Sequence, residues 1–155
     1  MPRYDYTTPG AYFITVVIHQ RRCLLADVLD HESVPTSAGA MVREIWEALP
    51  KHYSGVEIDV SVVMPDHLHG ILRISRPASA SPTILALPDV LQRFKTLTTT
   101  RCMEGVERHG WPRFDRHLWQ RSFHDRVIRD EAQLVAYREY IEHNPRRWAR
   151  DRTFP

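Results

Sequence analysis

The stretch from Val56 to Ser75 constrains the fold more than any other part of the chain. Val56, Ile58, Val60, Val62 and Met64 alternate with Glu57, Asp59 and Ser61, the period-two pattern of a strand with one covered face. Pro65-Asp66 follows: proline presets φ for a turn, and an aspartate carboxylate can bond the backbone ahead. His67 to Ser75 is therefore predicted to return as the antiparallel partner, with Leu68, Leu72 and Ile74 facing the core. A chain built on such a hairpin needs an antiparallel sheet, and its other elements must cover that sheet.

Those elements can be read from apolar spacing. Tyr12 to His19 is rich in β-branched and aromatic residues and predicts a first, buried strand. From Ser37 to Leu49, Met41, Val42, Ile45, Trp46 and Leu49 recur at helical spacing until Pro50. Arg76 to Thr83 is a Ser/Pro/Ala connection able to close over a substrate, and Val90, Leu91, Phe94 and Leu97 mark a second helix starting near Pro88-Asp89. Gly105 to His117 reads as irregular, and Leu118 to Arg129 holds a fourth strand ending in Val127-Ile128. Asp130 has the chemistry of an N-cap for a last helix over Glu131 to Asn144, whose stripe of Leu134, Tyr137 and Ile141 is interrupted by Arg138 and ended by Pro145. The order β-α-β-β-α-β plus a terminal helix predicts an α+β fold: a ferredoxin-like antiparallel sheet with helices on one face.

Length and composition bound the function classes. A chain of 155 residues, 43% hydrophobic, supports one packed domain. Its longest apolar stretch, Ala11 to Ile18, is far short of the roughly 20 residues of a membrane span, and its start has no secretory pattern, so a cytoplasmic protein without membrane contact is expected. Cys23 and Cys102 lie far apart with no CxxC spacing, which fits a reducing compartment. The formal charge of +2 is too small to imply nucleic acid by itself. Lys51 and Lys95 are the only lysines, so nearly all the positive charge is guanidinium, which suits phosphate and stacks on bases; a GC-rich genome gives the same bias.

Chemistry concentrates in two places. His67 and His69, two apart on a strand, project from one sheet face while Leu68 anchors the other, so one divalent ion can touch both. A His-x-His pair alone is a weak metal signal. Tyr140 and Asn144 lie four apart on the last helix and so share a face that offers a phenol and an oxygen ligand. Taken singly, the first is an ordinary half-buried tyrosine and the second a helix-end residue before proline.

Three ordered motifs change that balance: Met64-Pro65-Asp66-His67-Leu68-His69, Trp119-Gln120-Arg121-Ser122-Phe123-His124-Asp125 and Tyr140-Ile141-Glu142-His143-Asn144-Pro145. Together they resemble the REP-associated branch of the single-tyrosine HUH transposases, over most of the chain. The resemblance implies that His67 and His69 hold Mg²⁺ or Mn²⁺, that Asn144 is a third ligand, and that Tyr140 attacks a single-stranded DNA phosphodiester. It implies a 5′-phosphotyrosyl enzyme, a free 3′-hydroxyl, and rejoining without ATP, on a hairpin-forming repetitive extragenic palindrome in a bacterial cell, near the nucleoid. Histidine nitrogen suits Mn²⁺ better than Mg²⁺. Either a monomer or a homodimer that exchanges the tyrosine helix fits the family.

Other residues are candidates for DNA contact. Arg146, Arg147 and Arg150 surround Trp148 after the tyrosine, an arrangement that can track a strand and stack a base; dipole-favoured cations at a helix end read the same way. Lys95 beside Phe94, with Arg93, Arg101 and Thr98 to Thr100, can add phosphate contacts. Trp119 and Phe123 suit core anchors, His124 and His143 are spare ligands, and Tyr137 is a rival nucleophile outside the Tyr-Ile-x-x-Asn-Pro context. A histidine-triad hydrolase would need a third histidine where Ile71 stands. A DNA-binding module that has lost catalysis is the remaining alternative.

Overall fold

The computed structural model describes residues 10–75 and 86–151, with no side-chain detail at 149–151. The predicted loop at Arg76 to Thr83 and the side chain of Arg150 lie outside the described residues.

Four strands form one antiparallel sheet: β1 (Gly10–Val17), β4 (Val56–Met64), β5 (His67–Ile74) and β6 (His124–Ile128), in the order β4-β5-β1-β6. This is the ferredoxin-like arrangement, with the hairpin strands β4 and β5 beside β1 and the last strand at the far edge. Alternation along β1 and β5 divides the sheet into two faces. Tyr12, Ile14, Val16, Leu68, Leu72 and Ile74 join the main core with helices α1 (Ser37–Glu47) and α3 (Leu87–His109). Phe13 and Ile71 point the other way, onto Leu134 and Ile141 of helix α4 (Glu131–Asp151). The terminal helix thus covers the opposite face of the sheet from the other two.

The hairpin turn is tied into the fold. Ile18 N–H donates to the Asp66 carbonyl at 2.8 Å, and Leu25 N–H donates to the Pro65 carbonyl at 3.0 Å. Gly70 leaves a gap on the core face of β5 that Trp46 of α1 fills; a Cβ there would lie 2.6 Å from the indole ring.

Several boundaries differ from the sequence reading, each for a local reason. Pro145 does not end the last helix, which continues to Asp151. Proline forfeits one N–H···O bond but keeps a helical φ, and the turn beyond it is held by Trp148 against His67 and Arg147 over Tyr140. Gly105 is not a breaker: α3 runs through it to His109, and the absent side chain makes room for the Trp111 ring, which a Cβ at 105 would meet at 2.0 Å. The helix stops instead at Gly110, whose φ of 68° is a left-handed cap. The segment Leu118–Phe123 is not strand, and β6 begins only at His124. The first strand starts at Gly10 and ends at Val17. Pro50 opens a short helical turn, α2 (Leu49–His52), instead of closing the pattern. A two-stranded ribbon, β2 (Ala26–Leu29) with β3 (Glu32–Pro35), was not anticipated. Its turn residues Asp30 and His31 both have positive φ, 50° and 65°, a hairpin turn made without the glycine that usually signals one.

Asp130 caps α4 as its chemistry suggests: its carboxylate accepts from Gln133 N–H at 2.8 Å, and Gln133 Oε1 accepts from Arg129 N–H at 2.7 Å. Arg138, the interruption in the apolar stripe, forms a two-pronged pair with Asp59 of β4, at 2.6 and 3.2 Å. Asp59 stands at the register shift between Ile58 and Ser61. The bulge and the ion pair together fasten α4 to the sheet edge.

Candidate active site

His67 and His69 lie on the α4 face of β5, opposite Val17 and Thr15 of β1. Their rings are 4.4 Å apart between centroids, and both residues are buried. Each has its Nδ1 engaged. Asp66 Oδ1 lies 2.7 Å from His67 Nδ1, and Thr15 Oγ1 lies 2.8 Å from His69 Nδ1. A histidine so anchored through one nitrogen is fixed in orientation and turns the other, Nε2, toward a ligand.

Burial, together with the neighbouring His67, pushes His69 down to about 3, so near neutral pH it is the uncharged imidazole that a metal requires. Burial would raise the Asp66 carboxyl, but the His67 hydrogen bond and the charges of His67 and Arg21 bring it below its ordinary value. Arg21 Nε approaches Asp66 Oδ2 at 3.4 Å. Asp66 is thus an acceptor that holds a ring in place as well as a turn residue. Neither that role nor Thr15 was legible as function. Adjacency to His67 hints at the first; only strand register reveals the second.

Helix α4 lays a row of side chains over this ledge. The Tyr140 ring is 5.5 Å from His69 and 5.7 Å from Phe13, and the Trp148 ring is 6.1 Å from His67. Asn144 occupies the helical turn between them and is 7% exposed; no hydrogen bond of its side chain is found among the described residues. Arg147 places its guanidinium 4.3 Å from the centre of the Tyr140 ring. Tyr140 itself is 36% exposed, within reach of a ligand from solvent. Tyr137 instead stacks on Phe13 at 4.7 Å and belongs to the small core of this face.

The other candidates are placed elsewhere. Lys95 and Arg93 lie on α3, in the opposite layer. Lys95 Nζ donates to the carbonyls of Gln120, Arg121 and Ser122 at 2.8, 3.3 and 3.0 Å, so its donors are spent on the loop before β6, and burial lowers its pKa. Arg93 and Arg146 are exposed. Trp119 is a core anchor whose indole N–H donates to Thr98 Oγ1 at 2.8 Å. His124 stands opposite Thr15 on β6, one strand removed from His69.

The donor set fits a divalent ion. Two imidazoles anchored through Nδ1 can each offer Nε2 as a donor from one strand. No group of three His, Cys, Asp or Glu side chains suited to a metal exists among the described residues, so a third protein donor there would be the amide oxygen of Asn144. Chemically, the assembly can hold a phosphate-bearing ligand beside an accessible phenol.

No family model matches the chain. A protein of Haemophilus influenzae with the description "Uncharacterized protein" is 30% identical over 169 residues, covering 99% of this chain and 90% of its own length. A second protein of that organism, described as "Putative REP-associated tyrosine transposase", is 24% identical over 144 residues, covering 92% of this chain and 74% of its own. Among solved structures, a REP-associated tyrosine transposase bound to a REP hairpin superposes with a TM-score of 0.66 at 22% identity, over 95% of this chain and 73% of that one. A "putative transposase" of Deinococcus radiodurans superposes with a TM-score of 0.54 at 19% identity, over 92% and 95% of the two chains. Fold and curated relative point the same way: the chain has the fold of a REP-associated tyrosine transposase and is similar in sequence to a protein described as a putative one.

Proposed function

We propose that this protein is a metal-dependent endonuclease and strand transferase for single-stranded DNA that carries a hairpin, acting through Tyr140. The observation that carries the reading is the placement of an accessible phenol 5.5 Å from His69, above two histidines whose Nδ1 atoms are both engaged. Hairpin DNA as substrate is supported by the related transposase solved with a REP hairpin.

His67, His69 and Asn144 would hold Mg²⁺ or Mn²⁺, which when bound polarises the scissile phosphate and offsets the charge that develops on it. Asp66 and Thr15 keep the two imidazoles oriented. Tyr140 Oη attacks phosphorus; the bond to the 3′-oxygen breaks, and that oxygen leaves as a hydroxyl, the phenolic proton being lost to solvent and one regained by the leaving group. The product is a 5′-phosphotyrosyl diester, so a second 3′-hydroxyl can reverse the exchange with no external energy source. Arg147, over the Tyr140 ring, places a cation where the phosphate must approach.

Incubation with a hairpin-bearing oligonucleotide and Mn²⁺ should yield a protein-DNA adduct that survives denaturation. Tyr140→Phe should abolish it and Tyr137→Phe should leave it intact. An undiminished adduct from Tyr140→Phe assigns the nucleophile elsewhere, and no adduct from the parent leaves a binding module without catalysis.

A further inference from the structure

Another histidine stands in line with His69 across the sheet. Thr15 of β1 is paired with His69 on one side and with His124 of β6 on the other, and directly opposed residues of an antiparallel ladder turn their side chains to the same face. The Thr15 hydroxyl lies 2.8 Å from His69 Nδ1, which makes that face the one bearing α4. His124 therefore belongs to the floor of the candidate site, two strand spacings, or about 10 Å, from His69. Arg126, opposite the buried Phe13, shares the face.

This part of the floor is open. Helix α4 packs mainly on β4 and β5, whereas Thr15 is half-buried and His124 and Arg126 are exposed. The backbone that carries His124 is nevertheless held where β6 begins. Gln120 N–H donates to the Val17 carbonyl at 2.7 Å, and Lys95 Nζ gathers the carbonyls of Gln120, Arg121 and Ser122. A ring carried on a strand fixed in this way has a defined place beside the reacting groups.

The direction of the reaction gives that place a meaning. In displacement at a phosphate the entering and leaving oxygens lie on opposite sides of phosphorus. Tyr140 enters from α4, beside His69 and Phe13, so the leaving oxygen is directed away from the helix, over Thr15 toward β6. We propose that His124 is the general acid of strand cleavage, its imidazolium N–H donating to the 3′-oxygen as that oxygen leaves. The assignment rests on the strand-transfer reading above. As the bond from Tyr140 Oη to phosphorus forms, the bond from phosphorus to the 3′-oxygen breaks; the electron pair stays on that oxygen, which takes the His124 proton, while the phenolic proton passes to solvent. The imidazole left neutral then accepts the proton of an incoming 3′-hydroxyl when the exchange runs back.

A substrate with sulfur in place of the bridging 3′-oxygen at the cut tests the role, because a thiolate leaves without a proton. With a hairpin-bearing oligonucleotide and Mn²⁺, His124→Gln should form the adduct about 100- to 1,000-fold more slowly on the ordinary linkage in a single turnover. On the sulfur-bridged linkage it should keep pace with the parent. Its Mn²⁺ affinity by calorimetric titration and its Tm should equal those of the parent, which sets the role apart from metal binding and from folding. Equal slowing on both linkages, or slowing on neither, overturns the assignment. So does a loss of Mn²⁺ affinity, which would make the ring a metal ligand. A parent that forms no adduct on either linkage removes the strand-transfer reading and this role with it, a result distinct from an active parent whose His124→Gln variant matches it.

Discussion

His69 has lost nearly all its contact with water, at 6% exposure, and this has a consequence in solution. Its pKa is pushed down to about 3 in the fold against about 6.5 in the unfolded chain. Between these values the unfolded state binds the proton and the native state does not, so stability falls as pH drops through that window. At pH 5 the loss is about 2 kcal/mol from this residue. Asp66, with its own lowered value, adds in the same direction below the ordinary carboxylate range. Urea unfolding at pH 7 and pH 5 should show the drop in the parent and a smaller one in His69→Gln. Asp66→Asn should weaken Mn²⁺ binding by about 10- to 100-fold, because it loosens the ring of His67, and calorimetric titration would read this. A metal affinity untouched by Asp66→Asn would mean that the carboxylate serves the turn alone.

Among the elements, β5 has least freedom, since one face carries the histidines and the other receives Trp46 over Gly70. Gly70→Ala should cost about 1–3 kcal/mol by overpacking and disturb His69 next to it; a denaturation midpoint equal to that of the parent would show that Trp46 can move aside. The hairpin of β4 and β5 was legible because alternation, turn residues and paired histidines all agree locally. The ribbon of β2 and β3 was not, because its positive-φ turn is made of Asp30 and His31, residues that carry no glycine signal. The end of α4 was misread for a similar reason. Pro145 is a local stop signal, whereas the turn beyond it packs Trp148 against His67 of β5 and sets Arg147 over Tyr140 of the same helix. The motifs single out His67, His69 and Tyr140 as candidates, but the partners of the two imidazoles, Thr15 and Asp66, depend on register and burial. Lys95 was read as a phosphate contact, yet its ammonium is occupied by three loop carbonyls, which no local pattern could reveal.

At the scale of the molecule, only Arg129 and Asp130 separate β6 from α4, and both belong to the capping arrangement of the helix. Moving α4 onto a second copy would require undoing that cap and the Arg138–Asp59 pair. One copy is therefore expected to carry a complete site. Light scattering should return a mass near 18.2 kDa for this chain. Mixing Tyr140→Phe with the His67→Ala/His69→Ala double variant should restore no adduct; restoration would mean that helices are exchanged. No helix among the described residues is long and apolar enough to cross a membrane. The stacking of Tyr137 on Phe13 has a final consequence for stoichiometry. With that ring committed to packing, the proposed reaction leaves Tyr140 as the one phenol beside the histidines among the described residues, so each copy would hold one strand end at a time and be released only by another.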